Sequence, residues 1–171
     1  EAGLDEANWR LVVDGLVDKP FELTLDEIYA LSTYELMTDI HCVTGWSYKG
    51  IRLTGFPLAH LLNQAEPKQA AGYVWFGAYS ARNHDTSLPI EIARLETWLV
   101  THADGEPLAV EHGYPVRTLT PARYLYKSLK WVHHISLLAE DRPGFWERTS
   151  LYHHNADPWP GDQRYETGTM K

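Results

Sequence analysis

Cysteine is almost absent: Cys42 is the single thiol in 171 residues. One thiol cannot close an intrachain disulfide, and it leaves no second cysteine for an iron–sulfur cluster or a haem-attachment motif. Long apolar runs are missing too, since none approaches the roughly 20 residues of a membrane span. No glycine-rich phosphate loop and no Ser/His/Asp order appears. Positive charge is in deficit, with 15 Lys and Arg against 23 Asp and Glu and a net charge of -8. That balance argues against a nucleic-acid partner or an anionic membrane surface. The nine histidines offer no three ligands at zinc-site spacing. His133-His134 and His153-His154 are adjacent pairs, and neighbours on a strand point to opposite faces. Asp14-Gly15 and Asp104-Gly105 read as hairpin turns rather than parts of a calcium loop.

Hydrophobic residues make up 44% and charged residues 22%, an ordinary globular balance for a chain long enough to bury a proper core. Seven Trp and ten Tyr suit either an aromatic-walled cavity or an aromatic core. Short strands alternate with turns. Residues 9–13 read as a strand running into the Asp14-Gly15 turn, with residues 21–23 returning. Thr24 and Glu27 form a capping box for a helix over 25–31. Residues 35–43 form a strand that ends at the cysteine. Residues 53–57 read as a turn, with Pro57 at a first helical position starting a helix over 58–65. A buried strand follows at 73–76, then a polar loop over 77–89, a brief helix at 90–95, a strand at 98–101 and a last strand at 131–138. The tail, 141–171, is aromatic and proline-bearing and is expected to wrap the surface. With no repeat and no linker, residues 1–171 read as one β-rich α+β domain. The chain opens on Glu1 rather than Met, so a processed or cut N terminus is expected, and a periplasmic or exported location is favoured over a cytoplasmic one.

Two constellations carry chemistry. In His41-Cys42-Val43-Thr44-Gly45-Trp46-Ser47 the thiol sits where a strand gives way to polar, turn-forming residues. It can be a small apolar filler, a nucleophile, a redox thiol or a metal ligand. The second comprises His112-Gly113-Tyr114-Pro115-Val116-Arg117 and Tyr124-Leu125-Tyr126-Lys127-Ser128-Leu129-Lys130-Trp131. A guanidinium, two ammonium groups and backbone N–H donors between turn residues can hold an anion. The plain alternative is a solvated basic face.

Together these motifs resemble the molybdopterin-dependent oxidoreductases of the sulfite oxidase fold, including the short bacterial members and the methionine sulfoxide reductase catalytic subunit. Further matching pieces are Trp9 to Val17 as Trp9-Arg10-Leu11-Val12-Val13-Asp14-Gly15-Leu16-Val17, then Thr54-Gly55-Phe56-Pro57-Leu58, Ser87-Leu88-Pro89, Phe145-Trp146-Glu147 and Asp157-Pro158-Trp159. The resemblance implies a mixed, β-rich fold and a molybdenum–molybdopterin cofactor in its mononucleotide-free form. It places Cys42 as the thiolate on molybdenum, and His112, Arg117, Lys127, Ser128 and Lys130 around the pterin and its phosphate. A soft thiolate suits such a metal. The implied activity is oxygen-atom transfer or two-electron redox chemistry on a small substrate, with electrons passing to an external cytochrome or membrane haem protein and no membrane insertion. Tyr79, Arg82 and His84 lie in the stretch that departs most from the relatives, and they are read as polar groups near the substrate. Arg82 alternatively pairs with Asp85. The rival reading of the whole chain is a cofactor-free scaffold or binding module that keeps the fold.

Overall fold

A computed structural model describes residues 5–31 and 33–159. The strands, in chain order, are β1 (Arg10–Gly15), β2 (Phe21–Thr24), β3 (Tyr34–Cys42), β4 (Trp46–Pro57), β5 (Tyr73–Ala78), β6 (Asp85–Pro89), β7 (Trp98–Ala103), β8 (Glu106–Pro107), β9 (Arg117–Leu119) and β10 (Val132–Leu138). The α-helices are α1 (Leu25–Ala30), α2 (Ala59–Ala65), α3 (Ile90–Glu96) and α4 (Phe145–Ser150). One sheet runs β2-β1-β10-β5-β6 and the other β3-β4-β7-β8, with β9 also on β7. β1 and β10 pair in parallel, which sets the first and last strands side by side. The other ladders are antiparallel.

Alternation builds the main core. Leu11 and Val13 of β1 point inward, meeting Ile28 of α1, Phe76 of β5, Ile135 and Leu137 of β10 and Leu61 and Leu62 of α2, all at most 1% exposed. A second core beneath the other sheet gathers Leu53, Val100, Leu108 and Leu119. A third, small one seats Val43, Tyr126 and Ala156 under the end of the β3–β4 hairpin. The capping box forms as expected. Thr24 Oγ1 accepts from the Glu27 N–H at 3.1 Å, and the Thr24 N–H donates to Glu27 Oε2 at 2.8 Å, a device that stabilises by about 1 kcal/mol. The Asp104-Gly105 turn also forms, with both residues at positive φ between β7 and β8.

The turns expected at 14–15 and 53–57 fail for one reason: glycine marks either a turn or a close approach of two backbones. Residues 53–57 are not a turn but the end of the 12-residue β4. A Cβ on Gly55 would lie 2.0 Å from the Leu99 carbonyl oxygen, so Gly55 lets β4 press against β7. Pro57 is the last strand residue, opposite Trp98, and does not begin the helix. Asp14-Gly15 is likewise no hairpin turn. Gly15 sits in register with Leu137, where a Cβ would be 2.3 Å from the Leu137 oxygen, and the chain reverses over residues 16–20. The stretch 77–89 is mostly strand, because Gly77 and Ala78 complete β5 and residues 85–89 form β6. Only 79–84 remain as a loop. The tail contains α4, which polar composition concealed. Residues 160–171 of the expected surface tail lie outside the described residues.

Candidate functional site

Cys42 closes β3 opposite Trp46. Its thiol is half-buried, and Sγ lies 3.0 Å from Thr44 Oγ1. Beside it, His41 Nδ1 contacts Ser47 Oγ at 2.7 Å, and the His41 backbone bridges to Tyr124. That bridge, with Val43 packed on Tyr126, holds the cysteine end of the hairpin against the segment from Tyr124 to Lys130. Cys42 is in no disulfide, so its sulfur is available to ligate a metal.

The segment 124–132 is itself tied to β9. The Thr118 N–H donates to the Leu129 carbonyl at 2.8 Å, and the Leu129 N–H donates to Thr118 Oγ1 at 2.7 Å. Ser128 Oγ accepts the Thr120 N–H at 2.9 Å, so this hydroxyl shapes the turn from within. Lys127 is 2% exposed. It pairs with Glu147, which is 6% exposed, and donates to the Ser87 carbonyl at 3.0 Å. The structure therefore turns Lys127 toward α4, apart from the other cations.

Arg117 and Lys130 do come together, across Gly113. A Cβ on Gly113 would lie 3.0 Å from Arg117 Cβ and 3.1 Å from both Lys130 Cα and Cβ. Gly113 stands at φ +113, so this cradle needs glycine both for its backbone and for its space. Arg117 Nη1 donates to the His112 carbonyl at 3.0 Å, and Lys130 Nζ to the Glu111 carbonyl at 2.9 Å. His112 thus contributes its backbone, while its side chain is exposed. Lys130 also lies over the Trp131 ring, 4.5 Å from its centroid. Burial pushes the Arg117 guanidinium down to about 10. It also lowers the Lys130 ammonium, with the Arg117 charge adding to the shift and Glu111 opposing it.

The loop 79–84 reaches the same place. The Tyr79 N–H donates to the Trp131 carbonyl at 2.8 Å, and the Tyr79 ring meets His133 edge-on at 5.8 Å. His84 Nδ1 contacts Ser80 Oγ at 3.0 Å, and its ring lies 4.5 Å from Phe145. Burial, then the charges of Arg82 and Lys130, lower its pKa, with Asp85 opposing. Arg82 is exposed. Its suggested pairing with Asp85 does not occur, because Asp85 receives both arms of Arg148, at 2.9 and 3.2 Å, and Trp75 Nε1 at 2.9 Å. Arg82, Arg117 and Lys130 have no carboxylate partner among the described residues, whereas Lys127, Arg123 and Arg148 do.

Like charges gathered near a histidine that burial makes hard to protonate repel one another, and a bound anion offsets that repulsion. The donor set therefore fits a phosphate-bearing group with a thiolate-bound metal: one soft ligand, one desolvated guanidinium, one ammonium and a glycine cradle. Among the described residues no cluster of three or more His, Cys, Asp or Glu could hold a metal by itself. The sequence reading missed Gly113 as the cradle, Tyr124 as the bridge and α4 as the partner of Lys127. Each lay in a stretch already singled out, Gly113 and Tyr124 in the cationic constellation and Glu147 in Phe145-Trp146-Glu147, but no local signal showed these roles.

Residues 2–146 match the family model described as "Oxidoreductase molybdopterin binding domain". The uncharacterized oxidoreductase YuiH of Bacillus subtilis is 41% identical over 162 residues, covering 94% of this chain and 80% of that protein. An Azospira oryzae protein provisionally named protein-methionine-sulfoxide reductase subunit YedZ1 is 32% identical over 145 residues, covering 84% of this chain and 54% of its own. In structure, the sulfane dehydrogenase SoxCD of Paracoccus pantotrophus superposes with a TM-score of 0.79 at 24% identity, over 87% of this chain and 42% of that one. That likeness concerns the fold.

Proposed function

The chain belongs to the family of oxidoreductase molybdopterin-binding domains, and from that premise we propose how its own residues divide the work. It is a molybdenum-cofactor oxidoreductase with the mixed, β-rich fold of the sulfite oxidase type. When bound, the molybdenum–pterin group supplies oxygen-atom or two-electron exchange with a small substrate. Cys42 holds the metal through its thiolate, and Arg117 and Lys130 hold the pterin phosphate by charge-assisted bonds. Ser128 shapes the anchor turn through its bond to the Thr120 N–H, and His112 orients Arg117 through its carbonyl. We take the cofactor to be the mononucleotide-free pterin form, for which one compact cationic cluster suffices, and residues 1–171 to form one such domain.

At the substrate side, Arg82 binds the oxygen atoms of the substrate with its planar fork. His84, made harder to protonate by burial and then by its cationic neighbours, offers its other ring nitrogen, beyond the one that meets Ser80, for a proton or a hydrogen bond. Tyr79 lines the same edge, half exposed. We take electrons to leave to an external cytochrome or membrane haem protein, a reading supported by the lack of a second cysteine for an iron–sulfur cluster within residues 1–171. No described helix is long and apolar enough to cross a membrane.

The observation that carries this reading is the Gly113 cradle, which brings Arg117 and Lys130 together, neither of them in an ion pair with a carboxylate among the described residues. Metal and pterin analysis of the purified protein tests it. About one molybdenum and one pterin per chain is expected, as one ligating thiol implies. A metal-free protein without pterin fluorescence establishes the cofactor-free module instead.

A further inference from the structure

α4 is only six residues long, yet two neighbouring side chains on it grip two separate parts of the site. Glu147 forms the buried ion pair with Lys127, in the anchor turn that leads to Ser128 and Lys130. Arg148 clasps Asp85, the residue directly after the loop 79–84, with both guanidinium arms. Phe145 packs on the His84 ring at 4.5 Å. Gly144 sets the helix against β6 so closely that a Cβ there would lie 2.5 Å from the Asp85 oxygen and 2.7 Å from Thr86 Cα. One oxygen of Glu147 is buried without a hydrogen-bond partner among the described residues, so the pair with Lys127 satisfies only half of the carboxylate. A buried, half-satisfied carboxylate is costly. Its place on the site-facing side of the helix, against the anchor turn, accounts for that cost by what it holds.

We propose that α4 is a bracket that fixes the spacing between the cofactor-anchor turn and the substrate loop, with Glu147 and Arg148 as positioning residues. On this view Lys127 does not touch the cofactor phosphate; it transmits the grip of Glu147 to residues 124–130. Arg148 does the same for residues 79–84 through Asp85, whose remaining oxygen contact fixes Trp75. Both grips converge from one short helix, so they act together on groups far apart in sequence. This inference rests on the cofactor reading above for its consequence, but not for its geometry.

The test uses two paired replacements, each chosen so that no lone buried charge remains. They are K127M/E147M and D85N/R148M, the latter keeping an oxygen for Trp75. Both purified proteins are compared with the wild type by thermal unfolding, molybdenum and pterin content, and amide hydrogen exchange. In K127M/E147M, amides of residues 124–130 are expected to exchange at least about fivefold faster, as a locally loosened segment does, and pterin is lost while the fold is retained. In D85N/R148M the faster exchange falls on residues 79–84, and pterin content stays at the wild-type level. Unchanged exchange in both segments of the folded variants overturns the bracket. Pterin loss in K127M/E147M without faster exchange also overturns it, since Lys127 is then a direct phosphate ligand. If the wild type itself carries no pterin, the cofactor reading fails, and the exchange rates still decide the bracket.

Discussion

Gly113 and Lys130 are in backbone contact range: a Cβ on Gly113 would stand 3.1 Å from Lys130 Cα. The contact joins the turn before β9 to the segment before β10, and Arg117 completes it on the other side. Gly113→Ala therefore meets both a strained φ of +113 and a crowded neighbour. The expected cost is about 1–3 kcal/mol of stability, together with reduced pterin content as Lys130 and Arg117 are pushed apart. Thermal unfolding and cofactor analysis of the same sample check both effects. Wild-type values for both would remove the cradle from the argument for this site.

Cys42→Ser is expected to abolish turnover and the thiolate-to-metal absorption. Hard oxygen replaces soft sulfur on the metal, while the Arg117 and Lys130 anchors stay in place. Pterin content is therefore expected to survive better than the optical band. An intact band in the variant shows that Cys42 is not the ligand.

Arg117→Ala and Lys130→Ala each remove one charge-assisted contact, typically about 1.5–3 kcal/mol, or roughly tenfold or more in affinity. Neither side chain has a carboxylate partner to strand among the described residues, so the fold is expected to lose less than the cofactor does. Molybdenum and pterin stoichiometry, measured beside thermal unfolding, separates the two losses. Full occupancy in the double variant identifies the cluster as a solvated face.

Arg82→Ala tests the substrate side. An exposed guanidinium without an acidic partner among the described residues is free to bind substrate, and its loss is expected to raise KM by about tenfold with kcat and molybdenum content unchanged. Steady-state kinetics and metal analysis on one preparation distinguish the outcomes. Lost molybdenum reassigns Arg82 to the cofactor, and unchanged kinetics moves the pocket elsewhere.

The pH dependence has a definite sign. His84 is lowered from 6.5 by burial and by Arg82 and Lys130, and His133 by burial and by His134. Both are thus harder to protonate when folded, so the unfolded chain binds more protons between the ordinary value of 6.5 and the depressed folded one. Stability therefore falls as pH drops below 6.5 through that window, and the loss is complete below the folded value. Thermal unfolding across this range is expected to show a shallower acid slope in His84→Gln and in His133→Gln. A slope unaltered in both variants assigns the acid sensitivity to carboxylates instead.

What the sequence determined by itself was local or carried by residue type. Thr24 and Glu27 announced their capping box because both partners lie within one turn. The strand ending at Cys42 and the cations at Arg117 and Lys130 were legible from alternation and charge, and the order of motifs pointed to the family. The tertiary structure decided whatever depended on distant partners. Gly15 and Gly55 looked like turns, because a missing Cβ does not say whether it serves a bend or a backbone pressed close by another strand. Arg82 and Asp85 looked like a pair three residues apart, yet Arg148, 63 positions further along, takes that carboxylate. Lys127 read as a further cation beside the phosphate turn, and only the fold shows that it pairs in the interior with Glu147, 20 positions away. A charge in sequence has several candidate partners. Burial selects among them, because a carboxylate removed from water needs the cation whose geometry reaches it.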